Sequence, residues 1–191
     1  MILKAAKFAS DKHKGQFRKG NLNTPYISHP IKVAYVLEKV GGVSDPETIA
    51  AAILHDVIED TDTTHSDLRN IFNEKVADLV LEVSDEKDKP RDERKAMQIK
   101  NASNLSYEAK LIRIADKICN IQDICGADIP NWSYEQKFEY LEWAKGVVDQ
   151  LKGTHKLLEN HFFDLKRQVD THSTVQKNEF EEIENLNHGV H

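Results

Sequence analysis

Six consecutive apolar residues, Ile49-Ala-Ala-Ala-Ile-Leu54, run directly into His55-Asp56-Val57-Ile58-Glu59-Asp60, and this junction constrains the chain more than any other stretch. A helix that is apolar on every side offers no face to water, so it belongs at the centre of a packed body. Four ionisable side chains then stand at the end of that buried rod. On a continuous helix to about Asp60, turning ~100° per residue, His55, Asp56, Glu59 and Asp60 share an arc of ~140°. Glu59 then lies one turn beyond His55, and Asp60 one turn beyond Asp56. Three carboxylates and an imidazole crowded in this way repel one another, and each ion loses about several kcal/mol of hydration when withdrawn from water. A bound divalent cation is the simplest compensation. The alternative is an exposed acidic helix end with Asp56 or Glu59 paired to a lysine or arginine.

Helical period continues along nearly the whole chain, and no stretch alternates as a strand. The expected helices cover about 3–18, 30–40, 44–60, 65–73, 74–84, 91–101, 106–124, 133–151 and 154–170, with a turn-rich loop at Asn21–Ser28. Ser44 with Glu47, and Ser133 with Gln136, have the spacing of capping boxes, and Pro46 suits a first helical turn. The fold class is therefore all-α. The 191 residues suit one sizeable domain, expected over 1–165, followed by an extension over 166–191 that is either helical or flexible.

A net charge of −6 argues against a protein that coats a nucleic acid duplex. No run approaches the ~18 apolar residues of a membrane span, and the amino terminus enters an amphipathic pattern directly, so a cytoplasmic protein is expected. Cys119 and Cys125 fit neither a disulfide framework nor a zinc knuckle, and read as helix residues in a reducing compartment.

Two further constellations accompany the first. On the helix 106–124, Asp116, Asn120 and Asp123 gather at one rim of a broad apolar arc, either facing a cleft or forming a solvent face. His29, just before Pro30, stands at a helix mouth, where its ring either points into a site or caps the helix. Together, His29, His55, Asp56 and Asp116 make a set of two imidazoles and two carboxylates that suits Mn²⁺, Fe²⁺ or Zn²⁺ better than Ca²⁺ or Mg²⁺. Arg18, Lys19, Arg91 and Lys95 are either a positive rim for an anionic nucleotide or solvated surface. Tyr140 is either a nucleotide contact or a packed helix aromatic.

The order H…HD…D, carried by His29, His55-Asp56 and Asp116, resembles the HD-domain metal-dependent phosphohydrolases. Lys12-His13-Lys14-Gly15-Gln16 with Arg18-Lys19, Thr24-Pro25-Tyr26-Ile27-Ser28-His29-Pro30, Leu54–Thr61 and Ala115-Asp116-Lys117-Ile118-Cys119-Asn120 resemble the hydrolase domain of the RelA/SpoT proteins. Arg94-Lys95, Trp132 and Tyr140–Ala144 are similar to the free-standing members, the small alarmone hydrolases. The resemblance covers about residues 3–160. It implies a compact helical HD-domain fold and a (p)ppGpp 3′-pyrophosphohydrolase that releases pyrophosphate and GDP or GTP. It also implies one Mn²⁺ ion held by His29, His55, Asp56 and Asp116, with Glu59 and Asp60 at the attacking water. By the same resemblance Arg18 and Lys19 lie near the guanine, and Asn120 near the ribose and metal. Gln122 and Gln136 stand where the animal relatives are expected to carry arginine. The expected partner is a small guanine nucleotide, not nucleic acid or membrane, and a homo-oligomer stays open. The rival readings are an HD-domain phosphatase for NADPH or a deoxynucleotide, and a non-catalytic alarmone-binding module. An intact Glu59-Asp60 pair beside four candidate ligands argues against the last.

Overall fold

The protein is described by a computed structural model over residues 1–18, 21–125 and 132–170. The chain runs through α1 (Ile2–Lys12), β1 (Phe17–Arg18), β2 (Asn21–Pro25), α2 (Ser28–Lys39), α3 (Pro46–Leu54) and the single turn α4 (Val57–Asp60). It continues through α5 (His65–Ile71), α6 (Glu74–Val83), α7 (Arg91–Asn101), a short 3-10 turn (Ala102–Asn104), α8 (Tyr107–Cys125) and α9 (Tyr134–Asp149). A last helix, α10, covers 156–170.

The apolar rod occupies the centre, as its sequence requires. Every residue of α3 from Thr48 to Leu54 is buried, and α1, α2, α6 and α8 pack around it. Ala50, Ala51 and Ala52 have no exposed surface. Small side chains let neighbouring helices approach closely, and larger ones would overpack the contact at a cost of about 1–3 kcal/mol. The opposite wall is α8, whose Leu111, Ile112, Ile114, Ala115, Ile118, Cys119 and Ile121 are all buried. α2 lies between them, contacting both α3 and α8. The carboxyl end of α3, the mouth of α2 and the middle of α8 therefore converge.

Several local expectations change. The stretch 44–60 is not one helix. α3 ends at Leu54, and His55 and Asp56 form a turn, Asp56 at φ −100°, ψ −4°, before α4 begins. The cause is a side chain acting on the backbone: His55 Nδ1 donates to the Ala52 carbonyl at 2.8 Å, satisfying an acceptor that the helix end leaves free. The expected stacking of Glu59 over His55 is lost with the break. Ser44 is not the cap of α3. Asp45 is, accepting from Thr48 N, while Glu47 instead accepts from Asn73. Pro46 thus occupies the first helical position, where its missing N–H costs nothing. The box at Ser133 and Gln136 forms as expected.

The helix expected over 3–18 stops at Lys12, and Phe17–Arg18 pairs with Asn21–Pro25 as a small antiparallel ribbon with an irregular register, Phe17 opposite Pro25 and Arg18 opposite Asn21. Gly15, at φ +80°, makes the turn between them, a conformation that other residues adopt only with strain. The ribbon is too short and polar to alternate visibly. At the other end, α10 crosses the boundary expected at 165. Lys166 is buried and pairs with Glu142 at 2.8 Å, and Val169 packs on the core. Residues 171–191 lie outside the described residues. No helix among those described is long and apolar enough to cross a membrane.

The cap assignment is testable by thermal melting. Asp45→Ala should cost about 1 kcal/mol, the usual value of an N-cap, whereas Ser44→Ala should change stability by less than about 0.5 kcal/mol.

Candidate active site

Breaking the helix at Asp56 turns two side chains inward. His55 from the end of α3 and Asp56 from the junction meet His29 from the first turn of α2 and Asp116 from α8. His29 Nε2 lies 3.2 Å from Asp116 Oδ1 and 3.9 Å from Asp56 Oδ2. His55 Nε2 lies 3.0 Å from Asp56 Oδ2 and 3.9 Å from Asp116 Oδ1. The His29, His55 and Asp116 ligand atoms fall within 4.8 Å of one another, and all three residues are buried. The four candidate ligands read from the sequence are thus brought together.

The His55 ring shows what this cluster is suited to hold. Its Nδ1 carries the proton given to Ala52, so the neutral ring directs the lone pair of Nε2 toward two carboxylates. That buried atom has no hydrogen-bond partner. A lone pair facing carboxylate oxygens is stable only with a positive charge between them. A proton is one solution: burial opposes it, yet Asp56 and then Asp116 raise the His55 pKa to about 9. A divalent cation is the other, replacing that proton and serving all four groups at once. The donor set and the unpartnered nitrogen fit a divalent metal. Burial opposes charge on Asp56 too, but His55 and His29 hold its pKa low. Lys117 and His29 do the same for Asp116.

Each carboxylate is oriented from behind. Tyr26 donates its hydroxyl to Asp56 Oδ2 at 2.6 Å. Lys117, itself buried, donates to Asp116 Oδ2 at 3.0 Å, and Asn120 Nδ2 to Oδ1 at 2.7 Å. Sequence reasoning assigned no role to Tyr26 or Lys117, although both lie inside the motifs quoted above. Groups that fix a metal ligand's orientation in this way tune affinity as strongly as the ligands' own geometry.

The cluster floors a cavity of about 490 Å³. Arg18, Arg91, Asn120 and Tyr140, all expected at a substrate site, line it, as do Glu59 and Asp60. Lys19 lies outside the described residues. The β ribbon delivers Arg18, whose Nη2 donates to Asp123 Oδ2 at 2.6 Å and Asn120 Oδ1 at 3.1 Å, while Lys32 holds Asp123 Oδ1 at 2.8 Å. On the far wall Tyr140 packs between Trp132 and Trp143, with ring centroids 5.5 Å and 5.1 Å away. Arg94, Lys95, Arg113 and Lys117 also line the cavity, so positive side chains surround its carboxylates.

Glu59 and Asp60 stand apart from the cluster. Glu59 accepts from Arg94 Nη1 at 2.8 Å and from the Asp85 backbone N–H at 3.1 Å. Burial, and then the nearby Asp85 and Asp56 charges, push its pKa up to about 7. Asp60 is also raised, by burial and then by Asp56, and its carbonyl accepts from Gln16 Nε2 at 2.9 Å. Carboxylates tuned toward neutrality beside a polar cavity have the properties of proton acceptors.

The HD-domain family profile matches residues 5–138. The chain belongs to the HD-domain family. Its relatives extend over nearly the full length. The guanosine-3′,5′-bis(diphosphate) 3′-pyrophosphohydrolase MESH1 of Xenopus tropicalis is 43% identical over 166 residues, 85% of this chain and 93% of that one. The human protein of the same name is 43% identical over 167 residues, 87% of this chain and 93% of its own. A solved structure of a metazoan orthologue of SpoT, described as hydrolysing ppGpp, superposes with a TM-score of 0.83 at 39% identity, covering 87% of this chain and 94% of that one. A Listeria monocytogenes protein of known structure superposes with a TM-score of 0.65 at 27% identity, over 76% of this chain and 97% of its own. The family implies a divalent cation, and His29, His55 and Asp116, with Asp56 beside them, are its candidate ligands here.

The metal assignment has a direct readout. At about 100 times its Kd, a divalent cation that binds only the folded protein adds about 2.7 kcal/mol. Added Mn²⁺ should therefore raise the melting temperature of the wild-type HD domain by several degrees and leave His55→Ala unmoved. Equal shifts in both would remove His55 from the ligand set.

Proposed function

We propose that this HD-domain protein hydrolyses (p)ppGpp at the 3′ position, releasing pyrophosphate and GDP or GTP. The observation that carries the reading is the cavity itself, where His29, Asp56 and Asp116, with His55 bonded behind them, share the lining with arginines and lysines. A nucleotide with diphosphates on both the 3′ and 5′ positions is strongly anionic, and arginines and lysines line the cavity that such a molecule would enter. The near full-length similarity to proteins named as ppGpp 3′-pyrophosphohydrolases supports the same substrate.

A divalent ion held by His29, His55, Asp56 and Asp116, for which Mn²⁺ is our assignment, would neutralise phosphate oxygens and acidify a water at the floor. The chain's own groups do the remainder. Glu59 and Asp60 orient that water and take its proton as it attacks the phosphorus at the 3′ ester, while the 3′ oxygen leaves with its electron pair and is reprotonated. Arg91 binds phosphate oxygens with its planar fork of donors. Arg18 and Lys19 hold the guanine end, Asn120 the ribose, and Tyr140 packs against the nucleotide. Tyr26 keeps the Asp56 carboxylate turned to the floor throughout. In our reading the catalytic domain, expected over 1–165, takes in α10 to residue 170, and the enzyme works in the cytoplasm.

Separate incubations of the Mn²⁺-loaded protein with ppGpp, NADPH and deoxynucleoside monophosphates, resolved by anion exchange, test the substrate. The expected result is GDP and pyrophosphate from ppGpp. Free phosphate from NADPH alone would overturn the reading, and tight ppGpp binding without products would make the protein a sensor.

The proton acceptor is tested by pH. Glu59 works only when ionised, so kcat/KM for ppGpp should rise through about pH 7 and level off above it. The double variant Glu59→Gln, Asp60→Asn should keep Mn²⁺-induced stabilisation and lose at least ~100-fold in kcat, the scale of a lost general base. Loss of the stabilisation would instead make one of the two a metal ligand.

A further inference from the structure

Helix α7 is an anomaly in this fold, because none of its residues is buried. Arg91, Arg94, Lys95 and Gln98 recur at three- and four-residue spacing along one face, and all four line the cavity. Polar ties anchor the helix. Trp143 Nε1 donates to the Lys95 carbonyl at 3.0 Å, Gln98 Nε2 to Asp85 at 2.7 Å, and Arg94 Nη1 to Glu59 at 2.8 Å. The last of these reaches a carboxylate to which the reaction assigns a proton.

Glu59 sits on α4, a single turn, and its side chain has three rotatable bonds. A carboxylate receives a proton only along the directions of its lone pairs, so its plane must be fixed. Two donors from different elements fix it here: Arg94 at Oε1 and the Asp85 N–H at Oε2. Both oxygens keep a lone pair for a further donor. Arg94 spends one of its five N–H groups on Glu59, and its Nε is buried without an acceptor. The guanidinium is thus held at Glu59 by a single directed bond, with its Nε enclosed by the protein.

We infer that Arg94 is a positioning residue for hydrolysis, acting through Glu59: its ion pair orients the Glu59 carboxylate toward the attacking water. The inference rests on the proposed role of Glu59. It separates Arg94 from Arg91 and Lys95 on the same face, neither of which bonds Glu59.

A double-mutant cycle in ppGpp hydrolysis tests it, using Glu59→Gln, Arg94→Met and their combination, with Arg94→Lys as the conservative control. Arg94→Met should lower kcat on the order of 10–100-fold, the scale of a misplaced reacting group, with KM changed by less than about threefold. Arg94→Lys keeps a charge and one donor at Oε1 but not the fork, so its kcat should fall between the two. In the Glu59→Gln background, Arg94→Met should cost less than about twofold more, because the group through which it acts is already gone.

A purely structural role, in which Arg94 only seats α7 and its phosphate-facing residues, would appear as a raised KM with kcat preserved, and would overturn the inference. Multiplicative losses in the double variant would also overturn it, since Arg94 would then act independently of Glu59. If Glu59→Gln is slow while Arg94→Met and Arg94→Lys are both fast, the inference fails and the role of Glu59 stands. If Glu59→Gln retains the wild-type kcat, the base assignment fails and carries the inference with it, while the products of ppGpp still decide the substrate. Should Arg94→Met not fold, the cycle is completed with Arg94→Lys, read by the same non-additivity.

Discussion

The structure depends on where α3 stops. A rod buried on every side cannot end in solvent without exposing its last carbonyls or finding partners for them inside the protein. Here His55 supplies the partner by turning its Nδ1–H onto Ala52, and the helix breaks at the next residue. One bond has two consequences. It ends the helix at the bottom of a cavity rather than at the surface, and it fixes the ring so that Nε2 faces the carboxylates of Asp56 and Asp116. Helix termination and ligand orientation are the same event. The alanines of α3 matter for the same reason, since they let α1 and α2 close around the rod, and α2 brings His29 to the break.

Charge separation around the cavity follows from that geometry. The floor gathers two carboxylates from Asp56 and Asp116 against two imidazoles, while positive groups line the walls. Not all of those cations are available to a ligand. Lys117 is committed to Asp116, Arg94 to Glu59, and Arg18 and Lys32 to Asp123. Pairing keeps these side chains extended and oriented, which lowers the entropic cost of meeting a phosphate or a base. Lys95 lies over the Tyr140 and Trp143 rings, 5.8 Å and 5.0 Å from their centroids, whereas Arg91 is exposed at the start of α7. An incoming anion would meet Arg91 before the buried charges of the floor.

Much of this was legible in the sequence, and what was not has physical reasons. The apolar run before His55 announced a buried helix with a charged end, and helical spacing put Asp116 and Asn120 on one face of α8. The break at Asp56 was invisible because helical-wheel arithmetic assumes continuity, and nothing in His-Asp-Val-Ile-Glu lowers helix propensity enough to mark a stop. Asp45 and Ser44 are both good caps, and only the register of Pro46 distinguishes them. The ribbon strands Phe17–Arg18 and Asn21–Pro25 carry no alternation to read. The partnership of Arg94 with Glu59 joins residues 35 positions apart, and no local pattern encodes it. What could have pointed to Arg94 is the recurrence of basic residues along one face of a helix with almost no apolar side, since such a helix must find its anchors in polar groups elsewhere.

That requirement explains the composition of α7. A helix packed through an apolar stripe would place leucines or isoleucines against the cavity wall and leave no donors for a polyanion. α7 instead holds its position through a tryptophan bond to a backbone carbonyl, a glutamine–aspartate bond and an arginine–glutamate pair, with Ile99 packing against Gly146. A Cβ on Gly146 would come within 3.1 Å of Ile99, so the glycine is what lets the polar helix lie so near α9. Each of these ties is weaker than a core contact and partly open to water. The result is a wall whose anchors are also its binding groups, so that filling the cavity and fixing the helix are coupled. A rigid apolar core carries the four candidate ligands, and α7, whose basic face would meet the phosphates, is tied to it chiefly by hydrogen bonds.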